Sequence, residues 1–236
     1  MKKVLSFVLV AVMLCSVLLM ASCGKKEEKK FVAVDASDLL TEDFGIAVTK
    51  GNTALLNAVN AVVDKWVADG TINKYMDYYN DLGKFAEGDS TQAPDAGDLK
   101  VTWDFGDATE VITVYTESGF PPYEFLYNNE IVGLDIAIMN EVAVNMGKKV
   151  VVNDGAFDFI PTNVQTATGD AVGAAGMTIN DERKEKVDFS NVYCSSTLVV
   201  VSAEDKAISS VKDLSGLKVA VQEGTSGDLI ISAART

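Results

Sequence analysis

VITVYTESGFPPYEFLYNNEIVGLDIAIMNEVAVNMGKKVVV, residues 111–152, sets the fold class. Val111 to Thr116 is β-prone and runs into Pro121-Pro122, which forces a turn. Tyr127 to Val132 reads as a hairpin turning at Asn128-Asn129, because asparagine tolerates the left-handed backbone that a tight hairpin needs. Leu134 to Met146 is an amphipathic helix stopped at Gly147, and Val150 to Val152 is strand again. Further apolar runs at Ala171–Ala174, Leu198–Val201 and Lys218–Val221 alternate with helical stretches. That alternation predicts an α/β protein whose sheet is mainly parallel and covered by helices.

Upstream, Phe31–Asp35 and Phe44–Val48 are short β-prone runs. From Asn52 to Asp69, Leu55, Val59, Val62, Val63 and Trp66 recur at three- and four-residue steps, so they share one buried helical stripe. Asn52 or Thr53 caps its start and Gly70 its end. A second helix, Ile72 to Tyr79, places Ile72, Tyr75, Met76 and Tyr79 on one side. From Gly83 to Asp98 glycine, alanine, aspartate and serine replace the periodic apolar residues, which reads as an exposed linker, the whole connection being residues 83–109.

The first 22 residues read as an export signal: Lys2 and Lys3 precede an apolar run from Val4 to Met20. Met20-Ala21-Ser22-Cys23 looks like a lipobox, which predicts cleavage before Cys23, its lipidation with acyl chains such as palmitate, and a tether over residues 23–30. The alternative is an ordinary secretory signal that happens to end at a cysteine. Of the three cysteines, Cys15 lies in the cleaved segment and Cys23 is lipidated, so Cys194 is left without an intramolecular disulfide partner. A formal charge of −14 argues against nucleic acid and anionic lipid as partners. Lack of histidine removes the commonest general base and metal ligand, so no metal or cofactor site is expected.

Three segments together resemble the amino acid binding proteins of ABC importers, bacterial extracellular solute-binding proteins of family 3 with the two-lobed type II periplasmic binding fold. They are Ile112 to Phe125, Gly176-Met177-Thr178-Ile179-Asn180-Asp181-Glu182-Arg183-Lys184 and Val187-Asp188-Phe189-Ser190, extended by Val132 to Ile136 and Val221 to Ser226. Thr41 to Asn52, the helix after it and Asp69-Gly70-Thr71-Ile72 look like the segment that normally closes such a protein, yet here they precede it. The resemblance implies a first lobe built from residues 31–82 and 110–192, a circular permutation made easy by neighbouring surface termini. Residues 193–236 then begin a second lobe. Because Ala233 to Thr236 fall inside its first helix with no stop signal, the expectation is a truncated second lobe.

For the ligand, the resemblance implies that Arg183 clamps a carboxylate, chemistry that a planar guanidinium performs through two parallel charged hydrogen bonds. Without the flanking residues, Arg183 is an ordinary surface arginine on a charged helix. Ala175, Gly176 and Thr178 are expected beside it at a strand end facing the cleft. Gly224, Thr225 and Ser226 oppose it at a helix N-terminus, where free amides attract an anion. Phe120 and Phe157 match the aromatic walls, although Phe159-Ile160-Pro161-Thr162-Asn163 departs from the family pattern. Glu117 suits a polar or cationic side-chain end. No acid for the ligand's ammonium is evident, which predicts weak or no binding by this chain alone.

The function implied is capture of a free polar or basic amino acid between two lobes, by a monomer lipid-anchored outside the cell membrane, for delivery to permease subunits. It needs no catalysis. Two alternatives use the same fold: a prephenate or arogenate dehydratase-like enzyme, disfavoured because no paired carboxylates stand out in the cleft segments, and a ligand-sensing lipoprotein.

Overall fold

The computed structural model describes residues 30–36, 40–99, 101–206 and 208–234. The predicted export signal, Cys23 and the tether as far as residue 29 lie outside the described residues. Strands β1 (Phe31–Asp35), β2 (Thr41–Phe44) and β3 (Ala47–Thr49) lead into helices α1 (Thr53–Ala68) and α2 (Thr71–Glu87). Then come β4 (Val111–Thr116), β5 (Gly119–Phe120), β6 (Glu124–Tyr127), β7 (Glu130–Val132), α3 (Leu134–Met146), β8 (Lys149–Asp154), α4 (Ile160–Thr166) and β9 (Asp170–Gly173). The short helix α5 (Asp181–Lys184), β10 (Val187–Phe189), β11 (Cys194–Thr197), β12 (Val199–Ala203) and α6 (Ser226–Ala233) follow.

One five-stranded sheet, in the order β10-β3-β9-β4-β8, organises the larger part of the fold. Helix α3 crosses from β4 to the parallel β8, and β4 also runs parallel to β9. On the other side β3 is antiparallel to both β9 and β10. The sheet is therefore mixed rather than mainly parallel. Strand β3 arrives from a separate stretch of chain, so no βαβ crossover dictates its direction.

Phe44–Val48 is not one strand. The chain breaks at Gly45 and Ile46, whose amides bond to the Met177 carbonyl (3.1 Å) and to Ser190 Oγ (2.9 Å) instead of to a ladder. Beyond that break the front segment forms two antiparallel ribbons with residues 194–203, β2 with β11 and β1 with β12.

Helix α1 buries the predicted stripe of Leu55, Val59, Val62, Val63 and Trp66. Asn52 caps it, its side-chain oxygen accepting from the Leu55 amide, while its Nδ2 donates to Asp170 at 2.7 Å. Trp66 stacks on Tyr75 of α2 at 4.8 Å, and Tyr79 meets Phe125 of β6 edge-on at 6.2 Å. Helix α2 runs to Glu87, eight residues past the predicted end. Gly83, read as the start of a linker, lies inside that helix because α2 crosses Pro121 there: a Cβ at Gly83 would sit 3.0 Å from the proline Cβ. Nor is the rest of the connection free. Leu99, Val101 and Phe105 pack on the core, and Thr102 exchanges backbone hydrogen bonds with the buried Asn140 of α3.

The hairpin turns at Asn128 and Asn129, both in the left-handed region at φ 50° and 65°. Helix α3 has the predicted limits and ends at the left-handed Gly147, but it is buried almost all round, including Asp135 and Asn140. Lys218–Val221 forms no strand. An apolar cavity of about 530 Å³ separates it from β12, so the stretch lacks the neighbouring edge a ladder requires.

Leu55 is fully buried in a core cluster that spans both the front segment and residues 110–192. Leu55→Ala should therefore cost about 2–5 kcal/mol. Circular dichroism should show one cooperative transition moving to lower temperature for the whole fold, rather than early loss of α1 and α2 alone.

Candidate functional site

Strand β9 ends in Ala174-Ala175-Gly176-Met177-Thr178, all buried. Thr116 Oγ1 donates to the Ala174 carbonyl at 2.6 Å, and the Gly176 amide donates to Asp135 Oδ2 at 2.9 Å. Gly176 has φ +51°, and a Cβ there would lie 2.8 Å from the Phe120 ring. This close approach of backbone to ring requires glycine. The Ile179 amide donates to the Asp43 carbonyl at 2.8 Å, so the front segment straps the same loop.

Arg183 sits on α5, which Asn180 caps, and only 6% of it is exposed. Its Nη1 donates to the Thr178 carbonyl at 2.7 Å and its Nη2 to the Gly224 carbonyl at 2.9 Å, with the guanidinium 5.1 Å from the centroid of Phe157. Desolvation pulls its pKa below the ordinary value, and the charges of Glu42 and Glu182 oppose this. Across the cleft, Ser226 Oγ and Thr178 Oγ1 lie 3.1 Å apart, and Thr178 Oγ1 donates to Glu42 Oε1 at 2.8 Å. The helix N-terminus at Gly224–Ser226 is not a set of free amides: the Gly224 amide donates to Asp228 Oδ2, and Thr225 Oγ1 accepts from the Asp228 amide.

Around these groups lies a cavity of about 190 Å³. Every site residue predicted from sequence lines it except Gly224, which reaches it through Arg183. Phe120 stacks on Tyr123 at 5.1 Å and Phe157 backs Arg183, so the two aromatic walls stand on different elements. Glu117 accepts a hydrogen bond from Gln222 Nε2. The larger cavity beside β12 is lined by aliphatic side chains with only Lys206 and Lys218 as ionisable groups, which is no constellation for chemistry. Among the described residues no group of histidine, cysteine or acidic side chains is placed to hold a metal, and no helix is long and apolar enough to cross a membrane.

Sequence reasoning missed Glu42, Glu124 and Gln222, which also line the cavity. Glu124 is 1% exposed, and its Oε2 has no hydrogen-bond partner. Burial, then the charges of Asp135 and Glu117, hold its pKa well above the carboxylate range. The expectation of no paired carboxylates is thus corrected: α3 brings Asp135 behind Glu124. Asp135 is fully buried and does not line the cavity. Desolvation pushes its pKa up to about 7, against the neighbouring Tyr193 hydroxyl and the hydrogen bond from the Gly176 amide. Cys194 is a free thiol, 3.4 Å from the Tyr123 hydroxyl.

The family model of the bacterial extracellular solute-binding proteins, family 3, matches residues 112–229. The arginine-binding extracellular protein of Bacillus subtilis (strain 168) is 36% identical over 110 residues, 47% of this chain and 43% of that protein. ABC transporter arginine-binding protein 1 of Escherichia coli (strain K12) is 31% identical over 129 residues, 54% of this chain and 52% of its own length. The chain thus spans about half the length of these relatives. A solved structure of an ancestral arginine-binding protein bound to arginine aligns with TM-score 0.45 and 36% identity, covering 53% of this chain and 56% of that one.

A carboxyl whose pKa is higher folded than unfolded contributes stability that is full below the unfolded value, near 4, and is lost as pH rises through the folded value. For Asp135, with its folded value at about 7, that loss falls between pH 4 and 7 and is on the order of 4 kcal/mol. Asp135→Asn should remove it. In thermal melts across this range the variant's midpoint should gain on the wild type as pH rises, and a constant difference would contradict the assignment.

Proposed function

Because the chain belongs to the bacterial extracellular solute-binding proteins, family 3, we propose that it is the extracytoplasmic binding component of an amino acid ABC importer, and that its ligand is a basic amino acid, arginine first. The observation that carries this reading is a dry guanidinium, Arg183, in the wall of a small cavity that also holds Glu42, Glu117 and Glu124. An α-amino acid with a cationic side chain presents one carboxylate and two cations, and the cavity offers one cation and three acids. Arg183 takes the ligand's carboxylate, exchanging its bond to the Gly224 carbonyl for two charged hydrogen bonds. Thr178 and Ser226 complete that end, while Phe120 and Phe157 cover the side-chain stem.

Acids meet the cations. Glu42, beside Thr178 and Arg183, is placed for the ligand's ammonium, a role that sequence reasoning left empty. Glu117 and the unpartnered Glu124 are placed for the side-chain end. Both curated relatives described above are named as arginine-binding proteins, which supports the same choice. In this reading a lipid at Cys23 holds the protein outside the cell membrane, the lobes close on the ligand as a monomer, and the closed form is presented to permease subunits.

Catalysis is the weaker reading. Dehydration needs an acid or base that reaches substrate, whereas Asp135 is committed to the Gly176 amide and has no access to the cavity. Glu42 and Glu117 are hydrogen-bonded to Thr178 and Gln222, so neither stands free as a base opposite Glu124.

A ligand that binds only the folded state stabilises it by about 2.7 kcal/mol at one hundred times its dissociation constant. Arginine should therefore raise the unfolding midpoint by several degrees, lysine or histidine less, and aspartate not at all. Arg183→Ala should abolish the shift, and Glu124→Gln should weaken it for arginine more than for its neutral analogue citrulline. A folded protein whose midpoint ignores every amino acid would overturn the reading.

A further inference from the structure

We propose that Asp135, which does not touch the cavity, is the residue that positions its floor, by holding the Gly176 amide with an ionised carboxylate, so that ligand affinity follows the charge state of Asp135. The inference rests on the binding function proposed above and concerns a residue behind the ligand's contacts.

Its basis is geometric. Asp135 is on the first turn of α3, fully buried, and its Oδ2 accepts from the Gly176 amide at 2.9 Å. Gly176 is in a left-handed conformation against the Phe120 ring, so the direction of its amide fixes both the loop and one aromatic wall. Two residues on, the Thr178 carbonyl holds Arg183 Nη1 and the Thr178 hydroxyl bonds to Glu42. A change at the Gly176 amide is therefore passed to the guanidinium, to Phe120 and to Glu42 through a few covalent bonds. A charged acceptor holds an amide about twice as strongly as a neutral one, so protonating Asp135 weakens the one side-chain contact on this amide.

The groups facing Asp135 are Glu124 from β6, Tyr123 just before it, and Tyr193 just before β11, with Cys194 beyond Tyr123. None is cationic. Asp135 Oδ2 retains one donor, the Gly176 amide, whereas Glu124 Oε2 has none. Of the two acids it is Asp135 that the surroundings favour as the charged one, and its pKa of about 7 puts the change of state near neutrality.

The test is the dissociation constant for arginine by titration calorimetry from pH 5.5 to 8.5, on wild type, Asp135→Asn and Glu124→Gln, with unfolding midpoints measured alongside. Expected are a wild-type affinity that falls about tenfold toward low pH, and an Asp135→Asn variant that is about tenfold weaker at pH 8.5 and flat with pH. The same variant should melt no lower than wild type at pH 8.5, because a buried charge has been removed. Higher or equal stability with lower affinity separates positioning from plain support of the fold, which would lower both. Glu124→Gln, which removes a proposed ligand contact, should bind arginine more weakly than wild type at every pH and still lose affinity toward low pH. Asp135→Asn binding arginine with wild-type affinity and profile would overturn the proposal, as would a profile lost in Glu124→Gln and kept in Asp135→Asn. Wild type that binds no amino acid at any pH would overturn the proposal and the functional reading together.

Discussion

Strand β10 is joined to the five-stranded sheet only through β3, and β3 comes from the front of the chain. Three residues, Ala47, Val48 and Thr49, therefore tie to the sheet the segment that carries α5 and Arg183, which precede β10. Ile46, Ala47 and Val48 are fully buried, so this insertion is also sealed from water. Helices α1 and α2 extend the same attachment, with the aromatic series Trp66, Tyr75 and Tyr79 running on to Phe125. The sheet needs these strands as neighbours and is indifferent to which end of the chain supplies them.

The cavity is built against its own electrostatics. Glu42, Glu117 and Glu124 share a small volume with one guanidinium, and a fourth acid lies behind them. Burial holds Glu124 well above the usual carboxylate range, so its negative charge is withheld until a cation enters. Under the proposed function, such an arrangement works against anionic ligands by repulsion.

Local chemistry made much of this legible beforehand. The stripe on α1, the Asn128-Asn129 turn and both ends of α3 follow from periodicity and from residues that tolerate left-handed backbone. Arg183, Thr178, Phe120 and Phe157 were reachable through a family resemblance spread over several segments. Glu124 was not, because the pattern of β6 runs against polarity: Glu124 is 1% exposed while Leu126 is 57% exposed. Glu42 lies far from the other cavity residues in sequence, and the pairing of β2 with β11 together with the bonds of β2 to the Thr178–Ile179 loop brings it there. The length of α2 was hidden by Gly83, a residue that usually ends helices but here admits Pro121. Lys218–Val221 has the composition of a strand, yet a strand is a property of two edges and this stretch has no partner among the described residues.

The bond from the Ile46 amide to Ser190 Oγ joins residues 144 positions apart. During synthesis, which adds roughly 5–20 residues each second, the front segment must wait many seconds before β9 and β10 emerge to receive it. In that interval the apolar residues of α1 and α2 have no sheet to cover them, and helices of this length are marginal without such packing. Loop closure over such a distance is slow, so the nascent chain stays pliable until most of it has left the ribosome. A translocation channel that threads extended polypeptide, or a chaperone that holds it so, has that whole interval in which to act.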